Sequence, residues 1–463
     1  MRLLSGRIFG LASAVLSPTI RTPSSSSSST ALMMSTNANN VANNPTAAPK
    51  EWEDISSYLI PNPDKVNGPT NPQATLRLFG HDPKDVRVTL YRDHHAWCPY
   101  CQKIWLYLEE HRIPYAVKKV TMFCYGDKES WYRKVCPSGM LPALSIDNQL
   151  ITESDVILMN LDAVFGPVPS SPDLDSDEVY PYRRLERKLF GAWCDWLCRR
   201  HVPLTGGESR AAESFKSVAE EVDSVLGKSK SPFFLDSGFS IADIIFTPYI
   251  ERMSASLTYY KGFSLRSSYP NINAWFTEME KRPTYLGTQS DFHTHSHDLP
   301  PQMGMCVSDG TKETRTLMEY IDGGYVDSPH YEFETSTTPS SDVALEALTR
   351  VYVHREQLVE VNPTEDKGKF DEALRCVLTY LATGTVVKPP KGTAEGLRYL
   401  RDRVSVPRDM SLHAGRKLRI ALELTAKLDG DGQGPRIEDG NRRDQNPVPF
   451  VEAKRKREEA MVG

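Results

Sequence analysis

Hydrophobic and polar positions change period several times along this chain. Between residues 86 and 91, Val86, Val88 and Leu90 alternate with Arg87, Thr89 and Tyr91, the period of a half-buried strand. Over 102–111 the apolar residues Ile104, Leu106, Tyr107 and Leu108 fall among Lys and Glu, which predicts a helix. A second strand is predicted over 115–121 and a short helix over 128–135. Two short strands follow at 143–146 and 149–151, then a helix over 156–164 capped by Ser154 or Thr152. The order is β-α-β-α-β-β-α.

Past a Pro- and Asp-rich boundary at 166–181 the pattern becomes helical throughout. Leu185, Leu189, Trp193 and Leu197 recur at helical spacing, with Cys194 and Cys198 on an adjacent stripe that reads as core. Residues 211–226 form another helix, and Ser240-Ile-Ala-Asp243 is a capping box opening an apolar one. Upstream, residues 51–84 carry Pro61, Pro63, Pro69 and Pro72 and read as a linker; Trp52, Ile55, Tyr58 and Leu59 are expected to dock on the domain that follows. Further on, helices are predicted over 342–361, 369–382, 394–403 and 410–428. Arg398, Arg401, Arg403 and Arg408 read either as a solvated face or as a surface for an acidic partner. Asp429-Gly-Asp-Gly-Gln-Gly fails as a calcium loop, because Gly440 stands at its twelfth position and Pro435 interrupts it. The polar tail over 430–463 is expected to be disordered.

Composition narrows the function classes. A net charge of −5 over 463 residues supplies no electrostatic footprint for nucleic acid or an anionic membrane. No apolar run reaches the roughly 18 residues that a membrane span needs. Eight cysteines in so long a chain fit free thiols in a reducing compartment rather than a disulfide framework. Residues 1–50 hold Arg2, Arg7, Arg21, Lys50 and the serine run 24–29 but no acidic residue. That is the composition of a plastid or mitochondrial transit peptide, with a secretory signal as the alternative.

The candidate chemistry is Trp97-Cys98-Pro99-Tyr100-Cys101, placed where a strand turns into a helix. Pro99 suits the first helical position because its missing N–H costs nothing there. The unpaired N–H groups and the dipole of the helix start favour an anion, so a thiol at that position ionises more readily than an ordinary cysteine. Cys101, one turn on, is placed to attack a mixed disulfide formed on Cys98. A zinc site would need a second Cys pair at matching spacing, which the sequence lacks. The tract 290–301 holds His293, His295 and His297. In an extended strand all three face one side, a zinc ligand set with Asp291 or Asp298 nearby. A polar loop of internal hydrogen bonds is the other reading, and no metal ligand is assigned.

The Cys-Pro-Tyr-Cys motif matches the dithiol glutaredoxin sequence, and the chain resembles the cysteine-type glutathione transferases. Cys136-Pro-Ser-Gly-Met-Leu-Pro142 and Glu153-Ser154 match that family's binding motif; Ser240 to Asp243, 270–276 and 281–285 resemble its helical domain. The His tract and the segment 399–410 resemble the iota class of photosynthetic organisms, which carries a long C-terminal extension. The resemblance implies an α/β thioredoxin-like N-terminal domain, an all-α glutathione transferase C-terminal domain and an additional helical extension. In boundaries, it implies a transit segment 1–50, a linker 51–84, a glutathione-binding domain 85–165, a helical domain 182–290, a connector 291–306, an extension 307–429 and a tail 430–463. It further implies glutathione as cosubstrate and Cys98 and Cys101 as catalytic residues. Pro99, Tyr100, Leu141, Pro142, Glu153 and Ser154 would bind glutathione, with Pro142 in the cis form beside the catalytic sulfur. A disulfide or glutathionylated substrate, a homodimer, a protein partner for the extension and a plastid or mitochondrial location complete the expectation.

Overall fold

The computed structural model describes residues 48–200, 209–323, 334–429, 442–448 and 451–452; all but the last three residues of the expected transit segment and most of the expected disordered tail lie outside them. The N-terminal layer is a five-stranded sheet in the order β1-β3-β2-β4-β5. Its strands are β1 (Leu76–Arg77), β2 (Val88–Asp93), β3 (Tyr115–Val120), β4 (Ala143–Ile146) and β5 (Gln149–Thr152). β2 runs parallel to β3, with Val88 opposite Tyr115, and antiparallel to β4, with Leu90 opposite Leu144. Asp147 and Asn148, both at positive φ, close the tight turn from β4 to β5, the conformation that matches strand twist. Helix α2 (Pro99–His111) makes the crossover from β2 to β3 and is buried along most of its length. On the other face, α3 (Ser130–Val135) brings Tyr132 against Tyr91, Val120 and Ala143. This is a thioredoxin-like α/β domain.

The helical domain is built around α7 (Ile241–Lys261), which is buried from Ile241 to Tyr260 and apolar on nearly every side, as a central helix must be. Ser240 and Asp243 close its capping box as the sequence predicts. Around it stand α5 (Tyr180–Cys198), α6 (Arg210–Lys228), α8 (Leu265–Ser268), α9 (Pro270–Met279), α10 (Pro283–Thr288) and α11 (Phe292–Met303). α2 packs on α7, so the sheet domain and the helical domain share one hydrophobic core.

Beyond α12 (Lys312–Ile321) a second core forms from α13 (Val343–Val361), α14 (Lys367–Thr383), α15 (Ala394–Arg401) and α16 (Leu412–Lys427). The expected docking of Trp52, Ile55, Tyr58 and Leu59 is corrected here. They pack on this second core through α1 (Trp52–Ser56), where the Trp52 indole donates to Asp371 at 3.1 Å and Ile60 N–H to Thr349 at 3.1 Å. The Pro-rich stretch that read as a linker also supplies strand β1. The arginines are corrected as well. Arg398 and Arg401 bind Glu423, Arg403 pairs with Asp444 and Arg408 with Asp409, so none forms a free basic face. Within the expected tail, Arg442 is buried and its N–H donates to the Cys124 carbonyl. The helical domain and the extension meet where Arg419 pairs with Asp291 and Val406 N–H donates to the Thr294 hydroxyl at 3.0 Å. No helix among the described residues is long and apolar enough to cross a membrane.

Candidate active site

Strand β2 ends at Asp93, and the carboxylate of that residue accepts the Trp97 N–H at 2.7 Å, pinning the turn that delivers Cys98 to the start of α2. Cys98 is the N-cap residue, Pro99 fills the first helical position, and no side chain caps the helix. The first-turn N–H groups therefore keep their field on the Cys98 sulfur. Cys98 and Cys101 are free thiols, and their sulfurs lie with an Asp93 carboxylate oxygen within 4.8 Å of one another. Burial pushes the Cys101 thiol well above the ordinary range, aided by its hydrogen bond to Cys98 and the charges of Cys98 and Asp93. Cys101 thus keeps its proton at neutral pH. The second Asp93 oxygen has no partner among the described residues, which leaves an open proton acceptor beside the thiols.

Behind the motif runs a buried polar ring. Arg252 on α7 donates to the Trp97 carbonyl, to Gln102 Oε1 at 2.9 Å and to the Pro248 carbonyl at 2.5 Å, and its guanidinium lies 4.6 Å over the Trp97 ring. Gln102 Nε2 donates to Glu251 Oε2 at 3.0 Å. The Trp97 indole donates to His295 Nδ1 at 3.1 Å, and His295 Nε2 meets Glu251 Oε1 at 2.8 Å. That tautomer belongs to a neutral imidazole; burial pushes the His295 pKa down against the pull of Glu251. Bonded to the carbonyl of the residue before Cys98, Arg252 is the cation that the ring brings toward the motif.

The other expected binding residues collect at the same end of the sheet. Ala143, first in β4, is opposite Tyr91 near the end of β2, and Thr152, last in β5, is opposite Ala143. Leu141–Pro142, with its peptide bond cis, and Glu153–Ser154 therefore flank the strand end that leads to Cys98. The capping expectation is corrected. Glu153, at φ 68°, is the N-cap of α4 (Ser154–Phe165), and neither Thr152 nor Ser154 caps the helix. Tyr100 is exposed and meets Tyr249 edge-on at 5.9 Å, while the Arg187 guanidinium lies over both Phe190 and Tyr249. Lys103, buried on α2, pairs with Asp155 at 2.7 Å.

The His tract is not a strand. It forms α11, which sends His295 to the ring behind Trp97 and brings His293 and His297 together one turn apart. Sequence reasoning missed Asp93, Glu251, Arg252 and His295 as parts of the site. One signal for them was a charged pair, Glu251-Arg252, inside a helix apolar on all sides. Away from the cysteines, a cavity of about 450 Å³ opens between the sheet domain and the extension, lined among others by Gln73, His94, Val351, Leu358 and Tyr399.

Residues 97–164 match the model of the glutathione S-transferase N-terminal domain and residues 206–278 that of the C-terminal domain. Glutathione S-transferase DHAR3, chloroplastic, of Arabidopsis thaliana is 24% identical over 194 residues, 42% of this chain and 69% of the relative. Glutathione S-transferase L3 of the same plant is 26% identical, over 42% of this chain and 79% of its own length. Among solved structures, the Chlamydomonas reinhardtii dehydroascorbate reductase aligns at 18% identity and a TM-score of 0.35, over 43% of this chain and 91% of that one. The trimeric Leishmania glutathione transferase TDR1 aligns at 14% identity and a TM-score of 0.41, over 79% and 99%. The chain carries glutathione S-transferase N- and C-terminal domains, with relatives named as DHAR-type transferases, and continues into further helices beyond them.

Proposed function

We propose that this protein is a glutathione-dependent thiol transferase of the cysteine type, most like the iota class, that reduces mixed disulfides or removes glutathione from glutathionylated substrates. The observation that carries the reading is Cys98 at the uncapped start of α2, with Cys101 and Asp93 beside it and the buried Arg252 bonded to the Trp97 carbonyl that precedes it. The Cys98 thiolate attacks the glutathionyl sulfur of a substrate RS–SG; the S–S bond breaks, and RS⁻ leaves and takes up a proton. Cys98 then holds glutathione as a disulfide. In one route a second glutathione thiolate attacks that glutathionyl sulfur, forming oxidised glutathione and freeing Cys98. In the other, Cys101 passes its proton toward Asp93 and attacks Cys98 Sγ, releasing the glutathione thiolate. Two further glutathiones then reduce the Cys98–Cys101 disulfide. Glutaredoxin-type pairs lie at roughly −200 to −230 mV, within reach of a cellular glutathione pool.

Glutathione fits the same end of the sheet. The Leu141 backbone beside Pro142 suits the cysteinyl moiety, and the uncapped start of α4 at Ser154 suits the γ-glutamyl carboxylate. Glu153 suits the γ-glutamyl ammonium, and its strained backbone is the kind kept at ligand sites. Pro99 and Tyr100 complete the cradle. The acid-free composition of residues 1–50 and the relatives named as chloroplastic support a plastid location. The test is glutathione-dependent reduction of hydroxyethyl disulfide and of dehydroascorbate by wild type, Cys98→Ser and Cys101→Ser. Activity lost in Cys98→Ser supports the reading, and Cys101→Ser separates the two routes. No turnover of either substrate by wild type favours a non-catalytic module that binds glutathione or a hydrophobic ligand, for which the 450 Å³ cavity offers room.

A further inference from the structure

Folding the His tract as a helix removes one set of neighbours and creates another. His293 and His297 are at i and i+4 on α11, on one face, with ring centroids 4.5 Å apart. Facing them is Asp322, the residue that ends α12. His297 Nε2 is 2.7 Å from Asp322 Oδ1, His293 Nε2 is 3.6 Å from the same oxygen, and the three donor atoms fall within 4.8 Å of one another. A tetrahedral ion bound to nitrogen and oxygen at about 2.0–2.2 Å holds its donors roughly 3.3–3.6 Å apart, so small side-chain adjustments complete the set.

Two features separate this cluster from an ordinary hydrogen-bond network. His293 is 2% exposed, yet neither of its ring nitrogens has a hydrogen-bond partner among the described residues. Such an orphan is rare in a folded interior and calls for a ligand. Charge points the same way. The nearby guanidiniums are engaged elsewhere, Arg401 with Asp402 and Glu423, Arg419 with Asp291 and Arg442 with Asp298. Asp322 forms no ion pair with an arginine or lysine among the described residues; the Tyr259 hydroxyl holds its Oδ2 at 2.8 Å and leaves Oδ1 turned to the imidazoles. A small cavity of about 10 Å³ adjoins His293 and His297, with Asp298, Ser405 and Arg442 in its wall, room for about one water. The Asp322 side chain is 28% exposed and gives an ion a way in.

We propose that His293, His297 and Asp322 bind one divalent transition-metal ion, zinc by its four-coordinate preference, with a water from the adjoining cavity as the fourth ligand. The ion ties the end of α12 to α11, the helix whose His295 holds Trp97 beside Cys98. Its role is structural, and it stands independently of the glutathione reading.

The test uses the full chain carrying Cys98→Ser and Cys101→Ser, which removes the other donor group, Asp93 with the two thiols. Zinc is measured by elemental analysis after gel filtration, and Co²⁺ is titrated in and followed by its visible d–d absorption. The expected result is about one equivalent of zinc and an intense tetrahedral cobalt band without thiolate charge transfer, displaced by zinc. Asp322→Asn, partly exposed and still able to accept from Tyr259, should weaken binding at least tenfold, and His293→Gln should weaken it further. The cobalt spectrum of the chain with its His and Asp ligands intact decides the matter even where a ligand variant misfolds. Absence of zinc or cobalt binding at micromolar metal would overturn the proposal, as would full zinc retention by folded Asp322→Asn and His293→Gln.

Discussion

Arg252 offers the sharpest perturbation of the site. Its guanidinium is 1% exposed and donates three hydrogen bonds, to Gln102 Oε1, the Pro248 carbonyl and the Trp97 carbonyl. Arg252→Met keeps most of the volume, so little cavity forms, but all three acceptors lose a charged donor. A hydrogen bond to a charged group contributes about 1.5–3 kcal/mol, and breaking a buried charged network costs about 3–5 kcal/mol. Glu251 keeps its bonds from His295, Ser290 and Gln102, which favours the middle of that range, about 4 kcal/mol. Against a typical total of about 5–15 kcal/mol, the loss is large but survivable. Arg252→Lys keeps the charge and loses part of the bonding, so it should lose about half as much stability. Urea unfolding measures the first quantity. Alkylation of Cys98 by iodoacetamide at pH 7, read by peptide mass spectrometry, measures the second; it should slow in Arg252→Met and stay near wild type in Arg252→Lys. A Met variant within about 1 kcal/mol of wild type, with an unchanged alkylation rate, would refute both the ring and its effect on the thiol.

Three further outcomes are expected. Glu153→Gly relieves a backbone at φ 68°, so thermal stability should rise by about 1 kcal/mol while KM for glutathione rises about tenfold; an unchanged KM would remove Glu153 from the site. Glu423→Gln leaves the buried Arg398 and Arg401 without their shared carboxylate and should cost about 3–5 kcal/mol in urea; a loss under about 1 kcal/mol would mean the pair does not brace α15 against α16. Burial raises the Asp243 carboxyl to about 6, against its bonds from Trp275, Ser240 and Phe234. Its folded pKa exceeds the unfolded value of about 3.9, so the unfolded chain loses that proton first as pH rises. Stability should therefore fall by about 3 kcal/mol between roughly pH 4 and 6, and Asp243→Asn should flatten that part of the curve.

Local rules carried much of the architecture. Alternation at 86–91 marks β2, give or take two residues, and Ser240 with Asp243 marks the start of α7. Pro99 after Cys98 marks the start of α2. Tertiary context decided the rest. Proline density hid β1, because a two-residue edge strand needs only β3 beside it. The histidine tract read either as an extended strand or as a polar loop, but buried partners on two sides, Trp97 with Glu251 and Asp322, accommodate a helix. The arginines of the extension looked like surface because their carboxylates, Glu423 and Asp444, come from distant segments. Asp93 went unremarked for a similar reason. Its role depends on where β2 ends relative to the two sulfurs, a relation that a linear reading does not show.

The central claim is that Cys98 carries glutathione as a covalent intermediate. Wild type and Cys101→Ser, incubated with oxidised glutathione and digested without reductant, should be mapped by mass spectrometry. The account predicts one glutathionyl adduct on the Cys98 peptide in Cys101→Ser, and in wild type either that adduct or the Cys98–Cys101 disulfide formed from it. An adduct confined to Cys194, Cys198 or Cys306, the half-buried thiols, or no adduct at all, would contradict it.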